Sequence, residues 1–166
     1  MKLVHKFTAL LVLVITSSVF ADWTTTEDNW YSVTIDGMKS GWAHEIVEVD
    51  SETKNIKSTK VQNMTLSRGG MEITIVVSSS FTETAEGKPI SVESFQEAMG
   101  MVQETKWKFI GDSIETTTAA GGAPIVKTIA NPTAPWLTPQ AVKRMFTKKM
   151  NANLNDITYQ TMTPEL

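Results

Sequence analysis

From Trp30 to Ile129, polar and apolar residues alternate in runs broken about every ten residues by glycine, aspartate, asparagine or proline, a period of two that dictates antiparallel strands. The clearest run is Met71 to Phe81. Met71, Ile73, Ile75 and Val77 share a face with Phe81, while Glu72, Thr74, Ser78, Ser80 and Thr82 point the other way and Val76 breaks the pattern. Tyr31, Val33 and Ile35 alternate with Ser32 and Thr34, then Asp36-Gly37-Met38-Lys39 supplies a tight hairpin turn, and the next strand runs from Ser40 to Val49. Further strands are expected at about Lys54–Ser67, Gly70–Glu83, Pro89–Met99, Met101–Ile110, Ser113–Ala119 and Pro124–Ala130. The links Arg68-Gly69-Gly70, Glu86-Gly87-Lys88, Gly111-Asp112 and Ala120-Gly121-Gly122 are too short for crossovers, so successive strands are neighbours in a meander. Long twisted strands in one meander curl around their apolar face. The expected fold is therefore mainly β, an antiparallel curved sheet or half-barrel.

One C-terminal helix is expected to cover it. Thr138 can cap the free amides, and Pro139 suits the first helical position because its missing N–H is no loss there. Val142, Met145, Phe146 and Met150 recur at helical spacing and form an apolar face, with Lys143, Arg144, Lys148 and Lys149 largely on a solvated one. Lys148 and Lys149 also favour the negative C-terminal end. The approach, Asn131 to Leu137, is stiff with proline and places Trp136 as a plug into the core.

The chain of 166 residues is long enough for one domain with a real core and too short for two. Residues 1–21 read as a secretory signal peptide, with Lys2 and Lys6 ahead of the apolar stretch Phe7 to Ile15 and a cut after Ala21. The apolar core falls short of the roughly 20 residues that span a bilayer, so no stable membrane span is expected after cleavage. Residues 22–166 then form a single β-rich domain, secreted or periplasmic. After the helix, a polar turn from Asn151 to Asp156 leads into an alternating stretch, Ile157 to Met162, which begins a strand needing a partner outside this sequence; the domain is expected to be truncated at its C-terminal end.

Net charge is −3 overall, and −5 without the signal, where 13 basic side chains face 18 acidic ones. No basic stripe is present, so nucleic acid is not an expected partner. The absence of cysteine excludes disulfides, thiolate metal sites and a cysteine nucleophile, and with only His5 and His44 neither a metal site nor a catalytic residue or cofactor is assigned. Trp42, His44, Trp107, Phe109, Trp136 and Phe146 form the candidate ligand-binding set. Together with Met64, Met71, Met99, Met101 and Met145, these aromatics could line an apolar cavity or simply fill the sheet core. His44, on one strand face with Trp42 and Ile46, is either a proton-transfer group or ligand, or a structural hydrogen-bonding residue. Glu93, Glu97, Glu104 and Glu115 could be paired for hydrolysis, but nothing in their spacing fixes two at a working separation.

The stretch from Trp30 to His44, with its aromatic-rich strand, glycine turn and Lys39-Ser40-Gly41-Trp42-Ala43-His44, resembles the opening of the N-terminal β-rich region of bacterial secreted transglutaminase-like proteins. Trp136-Leu137 before a helix, and Ile157-Thr158-Tyr159 leading to Thr163-Pro164-Glu165-Leu166, look like the same region. In that family the chemistry belongs to a downstream Cys-His-Asp domain, and none of its catalytic positions can be carried onto a chain without cysteine. The resemblance implies a noncatalytic leading module that recognises or positions a partner, or contacts a downstream catalytic domain. The curved sheet with a covering helix is also similar to periplasmic lipoprotein-carrier folds. Carriage of a lipid or other apolar ligand is the alternative function, and a hydrolase of unknown substrate the enzyme-class one.

Overall fold

The computed structural model describes residues 22–133, 136–152 and 157–162. The signal peptide expected over residues 1–21 and most of the polar turn expected before Ile157 lie outside the described residues. Eight antiparallel strands run in sequence order: β1 (Trp23–Ile35), β2 (Met38–Asp50), β3 (Ile56–Arg68), β4 (Met71–Glu83), β5 (Pro89–Ala98), β6 (Met101–Ile110), β7 (Ser113–Ala119) and β8 (Ile125–Ala130). They form one curved sheet that does not close, since β1 and β8 are its two edges. One helix, α1 (Pro139–Asn151), follows. This is the expected meander with its covering helix.

Strand β1 begins earlier than the alternation indicates. Trp23 to Asn29 pairs with β2 although Thr24-Thr25-Thr26-Glu27-Asp28-Asn29 holds no apolar residue. Edge strands can be polar on both faces, which hides them from a hydrophobic pattern. The β1–β2 register also slips between Val33 and Thr34: Thr34 opposes Lys39, Val33 opposes Gly41, and Ser40 is left without a partner. This bulge displaces the partners of Glu27 to Val33 by one residue relative to a plain two-residue hairpin, until a second slip, between Thr25 and Glu27, restores the original pairing for Trp23 to Thr25. Trp30 therefore lies opposite His44, and Tyr31 opposite Ala43.

The inner face is fixed by the register. Ala43, Phe81, Val92 and Ile114 are the buried apolar residues, and cross-strand partners tie them to one side of the sheet. Trp136 fulfils its expected role as a plug, packing edge-on against Phe81 at 6.3 Å and tilted against Phe109 at 5.8 Å. Burial of a side chain such as Phe81 contributes about 1.5–3 kcal/mol. Met71, Met99 and Met101 do not fill this core, and none of them lines the hollow beneath the helix. They sit beside hairpin tips, about 70% exposed. Gly41 marks a place where chains approach closely: a β-carbon there would stand 1.9 Å from the Asn63 carbonyl oxygen.

The segment Ile157 to Met162 is not a strand. It runs beside the start of the helix, where the Leu137 amide donates to the Gln160 carbonyl at 2.8 Å and the Thr161 hydroxyl donates to the Leu137 carbonyl at 3.2 Å. Its partner is thus an irregular stretch of this same chain. Among the described residues no helix is long and apolar enough to cross a membrane.

Candidate functional site

Helix α1 is held to the inner face by polar pins rather than by a buried apolar stripe. Val142, Met145 and Phe146 are only half-buried, no residue of α1 is fully buried, and Met150, expected on the apolar face, is exposed. Thr138 does not cap the helix with its own side chain. Its hydroxyl donates to Glu83 Oε1 at 2.8 Å, and Glu83 Oε2 accepts the Gln140 amide at 3.3 Å, so a carboxylate from the end of β4 supplies the cap. Glu83 is fully buried, with the Arg144 guanidinium 3.6 Å away. Burial pushes its carboxyl above the ordinary value, and the bonds from Thr138 and Gln140 and the charge of Arg144 oppose that shift.

Further pins follow along the same side of the helix. Gln140 Nε2 donates to Ser58 Oγ at 2.9 Å, and Lys143 forms an ion pair with Glu27 on β1. Lys143 and Arg144 are exposed, as expected of a solvated face, and also reach acids of the sheet. The β4–β5 turn closes against the first turn of α1. Gly87 adopts a φ of +89°, a conformation that calls for glycine, and a β-carbon on it would displace the Arg144 guanidinium.

Between these pins and the sheet lies a hollow of about 360 Å³. Val47, Phe81, Val92, Pro139 and Met162 give it apolar walls; Ser58, Ser79 and Gln140 give polar ones. Two ion pairs border it, Glu27 with Lys143 and Glu45 with Lys60 at 3.0 Å, and Tyr31 donates to Glu45 Oε2 at 3.4 Å. Such a volume is within the range of small-ligand sites, roughly 300–1,000 Å³.

The six candidate residues do not come together around it, and none lines the hollow. Phe109 and Trp136 belong to the core cluster with Phe81, and Trp107 shares their sheet face, opposite Val92. Phe146 packs edge-on against Tyr159 at 5.6 Å, on the helix. Trp42 and His44 alternate with Ala43 and therefore lie on the outer, convex face, where a shared cavity with the other four is geometrically excluded. There, His44 Nε2 and Asp28 Oδ1 are 2.7 Å apart, and the imidazole stacks on Trp30.

Glu93, Glu97, Glu104 and Glu115 also project from the convex face; Glu93 stands opposite Lys106 and Glu115 opposite Lys108. Among the described residues, no three metal-ligating side chains converge. Glu83, Glu27 and Asp28 were not among the candidates, because nothing in a strand's spacing distinguishes an acid that reaches a distant helix or ring from one that faces water. No family model, curated protein or solved structure matches the chain.

Proposed function

We propose that this chain is a noncatalytic binding module, secreted or periplasmic, that takes an apolar or amphipathic group into the hollow between its curved sheet and α1. One observation carries the reading: α1 is pinned over the inner face through Glu83, Ser58 and Glu27 in a way that leaves about 360 Å³ walled by Val47, Phe81, Val92 and Met162. Apolar walls supply the driving force for uptake, and the bordering ion pairs favour a ligand with a polar end at the rim. An acyl chain fits this chemistry, as does an aliphatic side chain of a protein partner. The likeness of Trp30 to His44 to transglutaminase-like N-terminal regions supports a setting in which the module positions such a partner for a downstream catalytic domain. Of the convex-face acids, Glu93 and Glu115 stand opposite Lys106 and Lys108, the cross-strand arrangement of an ordinary sheet surface.

The test is a titration of the full chain with a fluorescent fatty acid, beside a Val47→Trp variant that fills the hollow. Saturable uptake by the wild type, reduced at least about tenfold in the variant, is the expected outcome. A linear, unsaturable response by the folded wild type would remove the reading.

A further inference from the structure

The convex face of β1 and β2 carries an arrangement that the hollow does not use. Trp30 and His44 stand opposite each other, with ring centroids 3.9 Å apart and planes within 12°. Trp42 lies diagonally across the pair of strands, 5.2 Å from Trp30 and tilted by 48°. Asp28, two residues before Trp30, holds His44 through Nε2. The imidazole covers one face of the Trp30 indole, yet Trp30 remains 63% exposed, so the free surface is its other face. That face is held flat in advance, since the ring is backed by a histidine that is itself pinned. Preorganisation of this kind lowers the ordering cost of binding.

The neighbours define what such a surface accepts. Ser32 and Asn63 flank Trp42 in register from β1 and β3, and Asp28 is 57% exposed, so polar side chains surround the rings. A dry protein–protein anchor would sit instead in an apolar, fully desolvated pocket. The two indoles lean on each other and leave no cage between them for a quaternary ammonium group. An indole face that is held in place, bordered by a second indole inclined at 48°, rimmed by hydrogen-bonding groups and next to a carboxylate fits a ring with apolar faces and a polar, uncharged edge.

We propose that Trp30, Trp42, His44 and Asp28 form a carbohydrate platform for a neutral, β-1,4-linked glucan-type chain. In such a sugar the ring substituents are equatorial, which leaves axial C–H groups on both faces to meet the negative face of an indole. The hydroxyls radiate in the ring plane, toward Asp28 and Asn63. The carboxylate of Asp28 and the chain's net charge of −3 disfavour uronic-acid or sulfated polymers. Trp30 is the stacking residue, Trp42, inclined at 48° to it, borders the stacked ring at its side, and His44 acts as a positioning residue for the Trp30 plane.

The full chain is titrated with cellohexaose by calorimetry and tryptophan fluorescence, alongside Trp30→Ala, Asn63→Ala and an alginate control, with folding checked by thermal melting. Saturable cellohexaose binding that weakens about tenfold in Trp30→Ala, the loss expected for one stacked ring, supports the platform. Asn63→Ala leaves the rings in place and is expected to weaken binding several-fold, which keeps the test decisive if Trp30→Ala fails to fold. No saturable binding by the folded wild type, undiminished binding in a folded Trp30→Ala, equal binding of alginate, or a face that engages a protein but no glycan would each overturn it. Loss of fatty-acid uptake at the hollow would leave this result untouched.

Discussion

Glu83 joins the last residue of β4 to the first turn of α1, and it does so as a buried acid. Its carboxyl is raised above the ordinary 4.5, chiefly by burial. A carboxyl that holds its proton more tightly in the folded chain contributes stability that is fully present below about 4.5 and is lost as pH rises through the folded value. Glu83→Gln keeps one acceptor oxygen, for either Thr138 or the Gln140 amide, and removes the titration. The Tm of the variant minus that of the wild type is therefore expected to become more positive as pH rises from about 4.5 toward 7. Melts that keep a constant difference across that range would exclude Glu83 as a titrating contributor. Asp50 has the opposite sign: hydrogen bonds from the Thr53 hydroxyl and amide lower its carboxyl below 3.8, so its contribution is lost as pH falls.

Strands and helix differ in how they are held. The strands β2 to β7 are hydrogen-bonded on both edges, whereas α1 has no fully buried side chain and is tied by hydrogen bonds, by Arg144 beside the buried Glu83, and by one exposed ion pair, Lys143 with Glu27, of about 0–1 kcal/mol. Its amides are expected to exchange with deuterium well before those of β3 to β6 in native-state mass spectrometry. Equal protection would mean that the cover opens only with global unfolding.

At this scale the strands after β1, their turns and the position of the helix were legible, because alternation, glycine links and Thr138-Pro139 are local signals. What escaped depends on residues far apart in the chain. The unpartnered Ser40 changes which residue of β1 faces His44, so Trp30 could not be joined to His44 by counting from Asp36-Gly37. The cap on α1 comes from Glu83, 57 residues before Gln140, and displaces the role that Thr138 seemed able to fill alone. Residue type alone does not decide whether the aromatic set lines one cavity or fills the core, because it carries no record of which face a strand presents.

For the molecule as a whole, the open edges matter most. Every residue of β8 is exposed, and Ile125, Val126 and Ile129 are 60, 61 and 44% accessible on an edge with free backbone groups. Lys127 is the one charge in that strand and stands at its middle, where a desolvated lysine opposes edge-to-edge pairing. Lys127→Val is expected to raise the mean molar mass measured by light scattering at matched concentration; a value equal to that of the wild type would deny Lys127 this protective role.

The other border, β1, has hydrogen-bonded backbone on one side only, yet it sends Glu27 inward to the helix and Asp28 and Trp30 outward beside His44. If this strand peels away, the inner clasp and the outer ring stack dissolve in a single event. A ligand bound on either side would resist that peeling for both, and would tighten the opposite side, by the same factor in each direction, only to the extent that the peeled form is populated without it.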